Sequence, residues 1–124
     1  MDELWYRLYA AVSRCNRALI SLERNGDSLG KDVKDQRVAE VRFLRGHFYF
    51  KLLTVFRQVP WIDEQVVEDN SHEQVSNTAL TYEQLFQKVI DDFKAAYDVL
   101  PVKEPGEDGR ANKIAAAAIW LNVI

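Results

Sequence analysis

Apolar residues recur along most of the chain at helical spacing. Leu4, Leu8, Ala11, Cys15, Ala18 and Leu22 repeat at three- and four-residue steps, and Trp5, Val12 and Leu19 widen them into one core-facing stripe. Arg7, Arg14, Arg17 and Glu23 fall elsewhere on that wheel. The spacing predicts a first helix over 2–24, with Asp2 as N-cap and Asn25-Gly26-Asp27 as its stop. The stretch Val38–Trp61 is denser. Glu40, His47, Lys51 and Thr54 share a narrow polar wedge, and Val38, Val41, Phe43, Leu44, Phe48 to Phe50, Leu52, Leu53, Val55 and Phe56 fill the rest. A helix so apolar is expected to be covered on several sides. Arg42, Arg45, His47 and Lys51 interrupt it and argue against a membrane span. The second helix is predicted over 35–56, capped by Asp32 or Asp35, and Pro60 forces Val59 into an extended conformation that ends it.

Residues 57–80 show no clear period and carry Asp63, Glu64, Glu68, Asp69 and Glu73. A connection of that length is unusual in a compact domain. It reads either as an extended segment laid across the helices or as a binding or partner-facing loop. Val59-Pro60-Trp61 is expected to be ordered on the helices and Glu68–Asn77 mobile. The carboxylate spacing does not match a calcium-binding EF-hand loop. Thr81-x-x-Gln84 is a capping box opening a third helix over 81–100, with Tyr82, Leu85, Val89, Phe93, Ala96 and Leu100 as its stripe and Pro101 as its end. A fourth helix is predicted over 111–124, capped by Asn112 and slim at Ala115–Ala118, ahead of Ile119 and Trp120. The predicted fold is all-α: two antiparallel helix pairs with a long irregular loop between them, in one helical domain spanning 1–124.

Composition narrows the function. With 48% hydrophobic and 28% charged residues and a net charge of −3, the chain has no basic stripe and no expected nucleic-acid partner. The single cysteine, Cys15, permits no intramolecular disulfide and no cysteine metal cluster. His47 and His72 lie far apart, and no H-E-x-x-H, phosphate-binding glycine loop or G-x-S-x-G occurs. Asp91 and Asp92 are adjacent on a helix and point to different faces, a poor geometry for joint acid–base work. No catalytic, cofactor-binding or metal-binding residue is predicted, no cofactor, and no enzyme. Trp5, Trp61, Trp120 and the five tyrosines could be core or a platform for sugar rings. Trp5 and Trp120 lie on helical stripes and read as core, while Trp61 fits either. Arg45 falls on the apolar side of its helix beside Val41, Phe48, Leu52 and Phe56, where an unpaired charge is too costly. It must reach a carboxylate, Asp92 first and Asp91 second, or snorkel its head to water; Glu40 lies on the wrong side.

Several of these motifs together resemble the SusD/RagB family of outer-membrane nutrient-binding lipoproteins from Bacteroidetes-type bacteria. Glu40, Phe43-Leu44-Arg45-Gly46, Tyr49-Phe50, Leu52 and Phe56-x-x-Val59-Pro60 resemble one family signature. Cys15-Asn16-Arg17-Ala18-Leu19-Ile20 is similar to another stretch. Tyr82-x-x-Leu85 through Leu100-Pro101, then Gly109-Arg110-x-Asn112-Lys113-x-Ala115-Ala116, extend the likeness in order along the chain. Two positions depart from the pattern: Gly46 stands where the family usually has Ala, and Arg57 where it usually has Gly. The resemblance implies tetratricopeptide-like helix pairs and a surface-exposed, lipid-anchored subunit. Such a subunit holds oligosaccharide and, by lid-like delivery, hands it to a SusC-like TonB-dependent transporter. Ligand contacts in the family come largely from loops outside the helical scaffold, so no ligand-binding residue is assigned. No secretory signal or lipidation cysteine opens the chain and Ile124 closes an apolar run, so it reads as the helical portion of a longer protein. The rival reading is an intracellular tetratricopeptide-like adaptor for protein–protein interaction.

Overall fold

A computed structural model describes residues 2–68 and 80–100. Among these the fold is all-α, without strands: α1 (Asp2–Asn25), a 3-10 turn (Gly26–Leu29), α2 (Lys31–Phe56), α3 (Glu64–Glu68) and α4 (Tyr82–Val99). The predicted fourth helix over 111–124 lies outside the described residues.

The contacts give the directions. Trp5 meets Phe56, Tyr9 meets Tyr49 and Asn16 meets Arg45, so α2 runs antiparallel to α1. Phe50 meets Phe86 and Phe43 meets Phe93, so α4 runs antiparallel to α2. The middle helix, α2, is thus flanked by both others. Leu8, Val12 and Leu19 of α1, Phe43, Leu52 and Leu53 of α2, and Leu85, Val89, Phe93 and Ala96 of α4 form the buried interior. α2 is covered on several sides, as its apolar pattern requires, but not all round. Leu44 is 44% and Val55 39% exposed, because among the described residues α1, the 3-10 turn, α4 and the segment 59–64 cover only part of its circumference.

Three boundaries correct the sequence expectation. The second helix starts four residues early, at Lys31, and neither Asp32 nor Asp35 caps it; Gly30, at φ 85°, occupies the N-cap without a side-chain bond. The 3-10 turn reverses the chain so tightly that only a residue tolerant of positive φ fits there. Asp32 sits instead in the first turn of α2, where its charge suits the helix dipole. In the segment expected to lack structure, α3 forms one short helix. Asp63 Oδ1 accepts the Val66 N–H at 3.0 Å and caps it, but a helix of that length shows no period. Glu68, expected to open the mobile stretch, is the last residue of α3 and pairs with Arg24 at 2.7 Å. The remainder of that stretch, 69–77, lies outside the described residues.

The capping box of α4 forms as expected: the Thr81 hydroxyl accepts the Gln84 N–H at 3.2 Å, and the Gln84 side chain accepts the Thr81 N–H at 2.9 Å. At the other end of α2, Arg57 takes φ 66° and ψ −63°. The Gln58 N–H donates to the Phe56 carbonyl at 2.8 Å, which closes a γ-turn of the rare, strained hand. A glycine would adopt it freely; here the Arg57 guanidinium lies 5.9 Å over the Tyr82 ring.

Candidate functional site

Three buried polar side chains, Asn16, Arg45 and Asp92, stand among the described residues, and they meet one another. Arg45 donates through Nε to Asp92 Oδ2 at 2.9 Å and through Nη2 to Asp92 Oδ1 at 2.8 Å, the two-pronged geometry that suits a guanidinium to a carboxylate. Its Nη1 donates to Asn16 Oδ1 at 3.2 Å and to Glu64 of α3. Arg42 adds a second cation to Asp92, Nε to Oδ1 at 2.9 Å. Arg45 is 3% exposed, so it does not snorkel. Asp91, the second choice of partner, is exposed and bonded to Gln87, and Glu40 pairs with Arg37. Burial alone would push the Arg45 guanidinium down, but hydrogen bonds and charge from Asp92, then Glu64, hold it above its ordinary value.

Around this hub, residues 59–64 form a strap bonded to α1 and α2 and touched by Lys88 of α4. Tyr9 donates to the Pro60 carbonyl at 2.6 Å, and Asn16 Nδ2 donates to the Ile62 carbonyl at 2.8 Å. The Tyr49 hydroxyl donates to that carbonyl at 3.0 Å and accepts the Ile62 N–H at 2.8 Å. Trp61 is buried. Its ring stacks on Tyr49 at 4.2 Å, lies within 5.6 Å of the Arg45 guanidinium and of Lys88 Nζ, and its indole N–H donates to Asp63 at 3.0 Å. The open question about Trp61 thus resolves to core: both its face and its donor are in use. The ordered packing of Val59-Pro60-Trp61 holds. Burial pushes the Tyr9 and Tyr49 hydroxyls above their ordinary range, so both remain donors. Burial likewise pushes the Cys15 thiol up, with Arg45 opposing, which leaves it a poor nucleophile.

The strap and α3 leave open clefts beside them. One of ≈ 400 Å³ lies between α1 and the strap and is lined by Trp5, Tyr6, Ser13, Arg17, Ile62 and Val67 among others. Trp5, read from the sequence as core, is only partly buried, and Tyr6 is 71% exposed. On the far side of α3 a second cleft is ringed by Glu23, Glu64 and Glu68. Between α1 and α2 a shallow apolar groove holds Ala11, Ala18, Leu44 and Phe48. Among the described residues no group of three or more His, Cys, Asp or Glu could hold a metal, and no helix is long and apolar enough to cross a membrane. His47 is half-buried, its Nδ1 without a hydrogen bond among the described residues. Trp120, His72, Asp69 and Glu73 lie outside the described residues.

Sequence reasoning paired Arg45 with Asp92 and missed Asn16, Arg42 and Glu64 as partners. Asn16 carried a signal: it follows Val12 by four residues, inside the apolar stripe of α1.

A family profile described as starch-binding and associating with the outer membrane matches residues 1–123. A SusD-like protein of Bacteroides ovatus is 30% identical over 121 residues, which are 96% of this chain and 21% of that protein. A crystal structure of a SusD-like protein from Bacteroides fragilis superposes with a TM-score of 0.81 at 30% identity, covering 98% of this chain and 23% of its own. A second B. fragilis structure, of a SusD-like carbohydrate binding protein, gives 0.82 at 28% identity over 98% of this chain and 23% of its own. The chain thus spans about a fifth to a quarter of the length of these relatives.

Proposed function

The chain belongs to the SusD-like family of starch-binding, outer-membrane-associated proteins, and from that premise we propose that it is the helical scaffold portion of a non-catalytic glycan-capture subunit. The full protein would sit lipid-anchored on the cell surface, hold an oligosaccharide and pass it to a SusC-like TonB-dependent transporter. The observation that carries this reading is the likeness, over 98% of this chain and 23% of the other, to a B. fragilis protein described as carbohydrate binding. The hub supports a scaffold role: it commits the buried charges to one another and leaves none facing an open site with a reactive geometry. An intracellular adaptor built on the same helix pairs has no comparable support.

Affinity electrophoresis of the full-length gene product through gels containing starch and other polysaccharides tests the reading. Retardation without release of reducing ends is expected, together with fractionation to the outer membrane and co-purification with a barrel transporter. Release of reducing ends, or a cytoplasmic location, would overturn it. The 124-residue chain by itself should bind oligosaccharide weakly or not at all, because it spans only about a fifth to a quarter of the length of its relatives. Tight calorimetric binding by this chain would move the principal ligand site into the helical portion.

A further inference from the structure

We propose that the cleft between α1 and the strap is a weak subsite for a pyranose ring. The inference rests on the glycan-capture reading above and places one sugar contact on this chain's own residues.

A pyranose offers an apolar C–H face and a rim of hydroxyls, so its site needs an aromatic surface bordered by free hydrogen-bonding groups. The cleft supplies both. Tyr6 presents a largely exposed ring and Trp5 the free part of a ring that also packs on Tyr9 and Phe56, and Ile62 and Val67 close the opposite, apolar wall. The polar groups sort into two sets. Tyr9 and Asn16, on the inner side, are spent on the carbonyls of Pro60 and Ile62. The Tyr6 hydroxyl, the Ser13 hydroxyl and the Arg17 guanidinium, on the same helix and lining the same cleft, make no hydrogen bond or ion pair among the described residues. Bonds within the cleft therefore fix its floor, and its rim is left free to recognise a ligand. A wall held in advance lowers the ordering cost of binding. A volume of ≈ 400 Å³ falls within the range of small-ligand clefts, about 300–1,000 Å³. The neighbouring clefts lack this combination: the one beyond α3 is rimmed by carboxylates, and the groove between α1 and α2 is nearly all apolar.

The test is a heteronuclear NMR titration of the 124-residue chain with methyl α-D-glucopyranoside and methyl β-D-glucopyranoside, with glucitol as the open-chain control. Either glucoside should shift the Trp5 indole signal and the amides of Tyr6, Ser13, Arg17 and Val67, with half-saturation on the order of 10 mM; glucitol should not. Tyr6→Ala should weaken binding about fivefold or more, and Arg17→Ala should weaken it as well. Both side chains are exposed, so a dispersed wild-type-like spectrum checks that the variants remain folded. The same substitutions in the full-length gene product should reduce its retardation by starch. No shift at about 100 mM glucoside, ten times the expected midpoint, or shifts that survive both substitutions, would overturn the subsite. Undiminished retardation of the full-length variants would likewise sink it and leave the capture reading standing. Glucoside shifts in the cleft with no polysaccharide retained by the full-length protein would do the reverse.

Discussion

Asn16, Arg45 and Asp92 each interrupt the apolar stripe of a different helix, and each is more than nine-tenths buried. A buried pair is of uncertain net benefit against an apolar replacement, but removing one member strands the other. The stranding here is unequal. Without Arg45, Asp92 keeps Arg42 at 2.9 Å; without Asp92, Arg45 keeps only Asn16 and Glu64 and cannot shed its charge. Asp92→Ala should therefore cost about 3–5 kcal/mol, and Arg45→Met well under half of that. Urea unfolding of both variants and the double mutant checks this, and the double mutant should fall short of additivity by about 1–3 kcal/mol. Additive effects within error would mean that the two side chains do not interact. The Arg45–Asp92 pair was legible in the sequence because a charge on an apolar stripe demands a partner, and Asp92 lies between Val89 and Ala96 on the stripe of α4. Glu64 was not legible as a partner. It reaches Arg45 only through the path of the strap, and an extended segment carries no period to place its side chains.

The helix pairs were legible at the scale of elements because each shows a long apolar stripe and a recognisable stop, and the capping box fixed the start of α4 to the residue. The short α3 and the glycine cap of α2 were not, since both depend on how tightly the chain turns. The approach of α2 to α4 centres on Gly46. A Cβ there would stand 3.0 Å from Phe93 Cε1 and 3.2 Å from Asp92 Cβ. Neither neighbour can retreat: the Phe93 ring is fully buried, and Asp92 is held by two arginines. Alanine would gain about 1 kcal/mol in helix propensity, but overpacking of a filled interior costs about 1–3 kcal/mol. Gly46→Ala should thus be net destabilising in thermal unfolding. A variant more stable than wild type would show that α4 can move away at little cost.

For the molecule as a whole, His47, which the sequence placed in the polar wedge of α2 and the structure half-buries, sets an acid limit. Burial, and then the charge of Lys51, hold its pKa below the ordinary 6.5. The folded state resists a proton that the unfolded chain accepts, so the stability contributed above pH 6.5 drains away as pH falls through that value toward the folded pKa. Denaturation midpoints from pH 7 to 5 should decline more steeply for wild type than for His47→Gln; parallel declines would rule His47 out as the cause. The hub also has a consequence in time. Asp92 lies 47 positions after Arg45, so a chain emerging in order completes α1, α2 and the strap with Glu64 as the only carboxylate partner of Arg45 until Asp92 follows. Until α4 arrives, closing the first helix pair would bury a guanidinium short of its principal partner, which holds that pair open. α4, the last long helix among the described residues, is therefore expected to do more than add a layer: its arrival should let the earlier ones shut.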